Sequence, residues 1–160
     1  IISQQGIIMK DKSRLTRRRG LVASGLLAAT AGVMAQDKDP GEVKVVYHVN
    51  DAAAQATGAL RNIRNHLDDA PNTRIIVVAH ANGVDFLMND ARDPKDDNIE
   101  YASLVSALTA RGVHFEVCRN TLQNRGLDED QFIMDAEFVQ SGVARIGQLQ
   151  ALEGYAYLKP

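Results

Sequence analysis

Two short apolar runs limit the possible folds most strongly. Residues 43–49 read VKVVYHV and residues 74–79 read RIIVVA, and each is apolar enough for a strand buried on both faces. Strands of that kind are typical of parallel sheets. A third run, residues 113–117, reads VHFEV and has apolar side chains at alternate positions, which favours another strand.

Helical patterns separate these strands. Asn50 and Asp51 offer a helix cap after the first strand, and apolar residues then recur at helical spacing. A second helix is predicted over residues 99–111, and a last one follows Ser141 and closes at Gly154. The predicted inward stripes are Ala56, Leu60, Ile63 and Leu67 in the first helix, Ala102, Val105 and Leu108 in the second, and Val143, Ile146, Leu149 and Leu152 in the last.

Strand and helix patterns alternate along the chain, because short strands are also predicted over residues 137–140 and 155–158. This alternation predicts an α/β fold with a mainly parallel sheet of about five strands and helices on both faces. Residues 89–98 are rich in Asp but lack the order of a calcium loop, so a solvated loop is predicted there. Residues 122–131 fit both helix and loop.

The front of the chain has the pattern of an export signal. Residues 1–8 precede Met9 and are interpreted as upstream or added sequence. From Met9 a basic segment leads into residues 20–35, a weakly apolar run that ends in small residues, so residues 9–35 are predicted to be a signal peptide. The competing interpretation is a membrane anchor, but the run is shorter than the roughly 20 apolar residues of a span.

The basic segment is also similar to the twin-arginine export motif. Residues 16–21 read TRRRGL, although Gly20 stands where that motif favours a bulky apolar residue. We therefore expect a periplasmic protein, exported by the twin-arginine route. Residues 36–42 are predicted to be a linker, and residues 43–160 a single domain that no longer contacts the membrane once the signal is cleaved.

The charge of the exported part disfavours nucleic acid as a partner. Residues 1–35 hold six of the 18 Lys and Arg and one of the 20 Asp and Glu, which leaves 12 basic and 19 acidic residues and a net charge of −7 with His neutral. Binding to a phosphate backbone needs clustered Lys and Arg instead.

Cys118 is the only cysteine, and it lies directly after the third strand. Asn120 and Thr121 follow it, and both residue types cap helix starts. Backbone N–H groups at such a junction favour negative charge, which lowers a thiol pKa. A single cysteine cannot form an internal disulfide, so it is buried and inert, reactive, or paired with another molecule.

Polar residues follow three of the predicted strands, where parallel sheets gather their ligands. If those strands are neighbours, an imidazole, carboxamides and a thiol converge in one crevice. The expected catalytic residues are Cys118 and His80, and the expected binding residues are Asn50, Asn82, Arg119 and Asn120. These residues also have structural interpretations. His80 and Asn82 suit a turn, Asn50 suits a helix cap, and Arg119 suits a position that points into solvent. His48 and His114 are expected to be packed within strands.

Several motifs are absent from the sequence. It has no G-x-G-x-x-G after the first strand, no P-loop lysine, no C-x-x-C and no G-x-S-x-G. Nucleotide binding, an intrachain dithiol cycle and α/β-hydrolase chemistry are therefore not indicated. We expect no cofactor, and no metal site because Cys and His pairs at zinc-binding spacing are lacking.

Three segments give the sequence a family resemblance. Residues 77–84 read VVAHANGV, residues 112–122 read GVHFEVCRNTL, and the end of the chain carries SGVAR and GYAYLKP. In these segments the chain resembles the DsrE/DsrF-like sulfur-relay family. The resemblance implies a flavodoxin-like three-layer domain over residues 43–160 that assembles as a homotrimer or homohexamer.

The resemblance also implies a role for the thiol. In relay members one cysteine accepts and passes on sulfane sulfur, and by motif that role falls on Cys118, although the surrounding sequence differs and some relatives lack the thiol. Relay members are cytoplasmic, whereas this chain carries an export pattern, so its partners would be small sulfur species or another donor or acceptor protein. The alternative hypothesis is a non-catalytic oligomeric module that binds a small ligand and has a structural cysteine.

Overall fold

The computed structural model describes residues 42–160. The upstream residues, the signal peptide and all but the last residue of the linker predicted above lie outside this part of the chain. In chain order its elements are β1 (Lys44–Asp51), α1 (Ala52–Asp69), β2 (Arg74–Asn82), a 3-10 turn (Gly83–Leu87), β3 (Arg92–Asp93), β4 (Asp96–Glu100), α2 (Tyr101–Thr109), β5 (His114–Cys118), α3 (Arg119–Arg125), a 3-10 turn (Glu129–Gln131), β6 (Ala136–Val139), α4 (Gly142–Ala151) and β7 (Ala156–Leu158).

Five of the strands form one parallel sheet in the order β6-β5-β2-β1-β7. The predicted α/β fold is confirmed. The chain adds β2, β5 and β6 outward from β1 and then crosses to the opposite edge for β7. Because crossovers between parallel strands are right-handed, this reversal places α4 on the face opposite to α1 and α2.

The alternation of side chains along β1 and β2 explains why both strands are apolar. Val45, Tyr47 and Val49 point to the α1–α2 face, whereas Val46 and its neighbours Ile76 and Val78 pack under α4. Both faces of the sheet are therefore covered, as the apolar runs predicted. The α1 stripe is also confirmed, since Ala56, Leu60, Ile63 and Leu67 are all buried.

The stripe predicted for α4 is wrong at both ends. Ile146 and Leu149 are buried, but Val143 is 66% exposed and Leu152 is 81% exposed. Positions spaced by three residues fall about 60° behind one another around a helix, so a long run of them leaves the buried face. Gly142 occupies the inward position one turn before Ile146.

A buried ion pair attaches α4 to the sheet. Glu116 of β5 is only 5% exposed, and both its carboxylate oxygens accept from Arg145 Nε at 3.0 and 3.1 Å. Arg145 Nη1 also donates to Glu153 at 2.6 Å. Since a buried carboxylate without a partner is costly, this contact fixes where α4 lies along β5.

The Asp-rich segment is more ordered than predicted. The short strands β3 and β4 pair antiparallel within it. Asp93 is buried, where its carboxylate accepts from the Thr57 hydroxyl and from the Lys95 N–H. Asp93 has polar partners, which explains why part of this charged segment packs against α1. None of the described helices is both long and apolar enough to cross a membrane.

We expect Gly83→Ala to destabilise the domain strongly. A Cβ atom at Gly83 would overlap the Val49 carbonyl group, which belongs to the backbone of β1 and cannot rotate away. Overpacking of this kind costs about 3 kcal/mol or more in the free energy of unfolding. Gly58→Ala in α1 is the matched control, since nothing lies within 4 Å of a Cβ there. It should stabilise by about 0.5–1 kcal/mol. Urea unfolding of both variants measures this, and equal stabilities would contradict the prediction.

Candidate functional site

Cys118 and His80 lie on neighbouring strands at the carboxyl edge of the sheet. β2 and β5 are paired in register up to Ala79 and Val117, and the next residue of each strand turns to the α4 side. Gly142, the first residue of α4, covers both. A Cβ atom at Gly142 would lie 3.2 Å from Cys118 Cβ and 3.3 Å from His80 Cβ, so glycine permits this close approach.

The surroundings of Cys118 favour its thiolate. The residue is 5% exposed, and its thiol is directed at the Gln140 carbonyl oxygen, 4.0 Å away. Burial raises the pKa of Cys118, but hydrogen bonds from the Gly142 N–H, the Thr121 hydroxyl and the N–H groups of Thr121 and Asn120 outweigh it. The pKa of Cys118 is therefore below its ordinary value.

The helix after Cys118 begins two residues earlier than a cap at Asn120 would imply. Cys118 itself occupies the N-cap position of α3, so Asn120 and Thr121 lie in the first helical turn. The backbone N–H of Thr121 faces the sulfur, whereas that of Asn120 also donates to the Gln140 carbonyl oxygen at 3.2 Å. The sequence located the junction correctly but assigned its capping residues wrongly.

A cavity of about 450 Å³ opens over these residues, which we call the Cys118 pocket. Four predicted site residues converge there. The residues that line it include His80, Asn82, Cys118, Asn120, Thr121 and Arg125. Most of these present hydrogen-bond donors, so the pocket suits a small polar or anionic group.

The backbone between His80 and Asn82 is strained and held in place. Ala81 has a φ of +50°, which is the left-handed region that a non-glycine residue rarely adopts. Its N–H donates to Thr121 Oγ1 at 3.0 Å, and its carbonyl accepts from Arg125 Nη1 at 3.2 Å. Arg125 is in turn paired with Asp85 at 2.6 Å. These contacts fix the position of His80 relative to α3.

The structure does not bring Arg119 or Asn50 into the Cys118 pocket. Arg119 Nε donates to Glu129 at 2.7 Å, and its guanidinium lies over the Phe138 ring. Asn50 Oδ1 accepts from Lys159 Nζ at 2.6 Å, at the end of β1 next to β7. Both side chains therefore contact other groups of the domain.

His48, expected to be a packed strand residue, takes part in a hydrogen-bonded group. Its Nε2 lies 2.7 Å from His80 Nε2, and its Nδ1 lies 2.7 Å from Tyr157 Oη. Burial, His80 and Lys159 lower the pKa of His48 to about 4. Burial and Lys159 also lower the pKa of His80. The period of two along β1 places His48 on the same face as Asn50, but only the strand order shows its contact with His80.

A larger cavity lies elsewhere, between α1 and α2, with a volume of about 560 Å³. Its lining is largely apolar with several arginines, and it contains no cysteine or histidine. Residues 42–160 contain no cluster of three His, Cys, Asp or Glu side chains arranged to hold a metal ion. Because the Cys118 thiol and the His80 imidazole both line the Cys118 pocket, that pocket is the candidate site.

This fold and site define a flavodoxin-like α/β protein with a thiol at the carboxyl edge of its sheet. The chain belongs to the DsrE/DsrF-like family, whose sequence profile matches residues 28–160. Membership of this family suggests a role of the sulfur-relay type. No curated protein is significantly similar to the chain.

The solved structures that are similar to this chain include the following two. The first is a protein of unknown function, MTH1491, from Methanobacterium thermoautotrophicum. It is 36% identical with a TM-score of 0.66, and the match covers 74% of this chain and 100% of that one. The second is the ychN protein from E. coli, 14% identical with a TM-score of 0.61, over 74% of this chain and 99% of that one. The second likeness shows the fold alone.

We expect Gly142→Ala to reduce the reactivity of Cys118. The added methyl group would press on Cys118 and His80, move the start of α4 outward and weaken the hydrogen bond from the Gly142 N–H to the thiolate. The alkylation rate of Cys118 by iodoacetamide at pH 7 should fall about 3- to 10-fold, because a hydrogen bond to a charged group contributes on the order of 1.5–3 kcal/mol and the substitution weakens this bond by roughly half. Gly147→Ala, in the same helix with open space around it, is the control and should leave the rate unchanged. Equal rates in the two variants would rule out the proposed contact.

We expect acidification to destabilise the domain partly through His48. Its pKa is about 4 when folded and about 6.5 when unfolded, so the unfolded chain binds more protons between these values. This contribution to stability is complete above pH 7 and lost as the pH falls to 4. Allowing for solvent screening, it amounts to about 1–2 kcal/mol. The stability of wild type relative to His48→Gln should therefore fall by this amount between pH 7 and pH 4, and a constant difference would contradict this assignment.

Proposed function

We propose that the protein carries sulfane sulfur as a persulfide on Cys118. The observation that supports this best is the position of the thiol, held between N–H donors of α3 and α4 at the base of an open polar pocket. A depressed thiol pKa supplies the thiolate that such chemistry needs at neutral pH.

The reaction balances without an oxidant or reductant. The Cys118 thiolate attacks the outer sulfur of a donor R–S–S⁻, so that a Cys118 Sγ–S bond forms while the donor's S–S bond breaks. The R–S⁻ group leaves with the electron pair, and Cys118 retains the sulfur as Cys118–S–S⁻. An acceptor thiolate later attacks that outer sulfur in the same way.

The lining of the pocket supports this use. The amide donors that face Cys118 would also stabilise the charge of a persulfide, and Asn82, Asn120 and Arg125 would orient a small sulfur anion. His80, at the wall of the pocket, would move a proton. Arg119 and Asn50, which contact Glu129 and Lys159, have no part in this step.

The proposal includes the location, the oligomeric state and the partners of the protein. The basic and apolar segments of residues 9–35 support export to the periplasm by the twin-arginine route. Family membership supports assembly as a homotrimer or homohexamer. The partners would be small sulfur species or a donor or acceptor protein, without nucleic acid, given the net charge of −7 after residue 35.

One observation favours the second candidate function, a non-catalytic oligomeric module that binds a small ligand. Cys118 is only 5% exposed, and buried cysteines commonly serve as small apolar groups. In that case the pocket would bind its ligand without covalent chemistry. The reactivity of the thiol distinguishes the two functions.

We expect the purified protein to gain the mass of sulfur atoms, about 32 Da each, after treatment with polysulfide or thiosulfate. Intact mass spectrometry measures this gain. Cys118→Ser is the matched control, since it replaces only the sulfur, and it should gain nothing. If wild type gains no such mass, or if Cys118→Ser gains it equally, the persulfide proposal fails. A thiol that also resists iodoacetamide in the native protein would then favour the binding module.

A further inference from the structure

Three side chains on adjacent strands form a continuous hydrogen-bonded row that ends at the Cys118 pocket. Tyr157 of β7 contacts His48 of β1 through Nδ1, and His48 contacts His80 of β2 through Nε2, each at 2.7 Å. β2, β1 and β7 are neighbours in the sheet. Tyr157 is 38% exposed, and His80 lines the pocket. The row therefore joins solvent to the pocket.

The contact between the two imidazoles fixes how many protons they share. Two Nε2 atoms at 2.7 Å require one proton between them, because two protons would collide and none would leave two lone pairs facing each other. When both rings are neutral, His48 and His80 must therefore be opposite tautomers. Either His48 carries its proton on Nε2 and His80 on Nδ1, or His48 carries it on Nδ1 and His80 on Nε2.

The phenol of Tyr157 favours the first arrangement. A neutral imidazole nitrogen without a proton is a good acceptor, and the Tyr157 hydroxyl is a natural donor to His48 Nδ1. His48 then donates from Nε2 to His80, whose remaining proton is on Nδ1. His80 Nε2 is engaged by His48, so Nδ1 is the nitrogen left for a group bound in the pocket.

The surroundings of His80 disfavour a role as a charged, imidazolium proton donor. Burial and the ammonium group of Lys159 both disfavour an imidazolium at His48 and at His80. At neutral pH, a proton donor that had to be charged would therefore be scarce. Exchange of the two tautomers moves one proton along the row while neither ring ends the transfer charged.

We infer that Tyr157, His48 and His80 form a neutral proton relay into the Cys118 pocket, with His48 as a positioning residue that sets the tautomer of His80. The inference rests on the proposed sulfur transfer for the reaction that it serves. From the favoured arrangement, the His80 Nδ1 proton passes to the leaving R–S⁻, the His48 Nε2 proton to His80 Nε2, the Tyr157 proton to His48 Nδ1, and a water proton to the phenol oxygen, which leaves both rings in the reverse tautomers. In the other direction the reverse steps start at those tautomers: His80 Nδ1 accepts a Cys118 thiol proton, one proton leaves through Tyr157 to water, and the first arrangement is restored. Over both directions Cys118–SH and R–S–S⁻ become Cys118–S–S⁻ and R–SH, with no net proton change.

Nitrogen NMR of the full-length protein with ¹⁵N-labelled histidine tests the relay without any sulfur chemistry. At pH 7 we expect His48 protonated on Nε2 and His80 on Nδ1. Tyr157→Phe should move both rings together toward the reverse tautomers, because the donor to His48 Nδ1 is gone. The same tautomer on both rings, an imidazolium on either, or a tautomer pattern that Tyr157→Phe leaves unchanged would overturn the relay.

Kinetics test whether the relay serves sulfur transfer. His48→Gln can still donate a hydrogen bond to His80 but cannot pass a proton on. Persulfide formation with inorganic polysulfide at pH 7 should therefore slow at least 10-fold, since general acid–base catalysis typically contributes on the order of 10²–10⁴-fold. Alkylation of the fully ionised thiol at high pH should stay within twofold of wild type. His114→Gln is the matched control, since His114 is an exposed imidazole paired with Glu137, and it should keep the wild-type rate.

Different outcomes overturn the persulfide proposal and the relay. If wild type takes up sulfur and His48→Gln matches its rate, the relay is overturned and the persulfide proposal stands. If wild type takes up no sulfur, the persulfide proposal fails, and the tautomers and their response to Tyr157→Phe still decide whether the relay exists.

Discussion

The candidate site depends on one close contact, between the start of α4 and the ends of β2 and β5. Gly142 has no side chain, so its backbone reaches Cys118 and His80 at a distance that a methyl group would prevent. The same approach directs the Gly142 N–H at the sulfur. The ion pair between Arg145 and the buried Glu116 holds α4 against β5 one turn further on. The position of α4 therefore determines both the packing around Cys118 and the acidity of its thiol.

Much of the fold could be predicted from local patterns. The five parallel strands and the α1 stripe follow from apolar runs and helical spacing, which depend on neighbouring residues only. The position of Cys118 after a strand also follows, and so does its convergence with His80, Asn82 and Asn120, because parallel strands end at a common edge. Adjacency of β1, β2 and β5 is enough for this convergence, whatever the order of the outer strands.

What the sequence could not show depends on contacts between distant residues. His48 gains its partners only because β7 crosses to the far side of β1 and brings Tyr157 beside it. Arg119 and Asn50 stand next to strand ends as predicted, yet distant groups, Glu129 and Lys159, bind their side chains. The burial of Asp93 also depends on a distant residue, because its hydrogen-bond partner Thr57 belongs to α1. Side-chain direction at such positions is decided by the nearest opposite charge or hydrogen-bonding group.

The burial of Cys118 has a further consequence for selectivity. With 5% of the residue exposed, a reagent reaches the sulfur only through the pocket that Asn82 and Thr121 help to line. Slender, unbranched molecules fit such a passage, whereas a folded protein would have to insert an extended tail or loop. Access through the pocket, as well as the acidity of the thiol, therefore limits which molecules can react with Cys118.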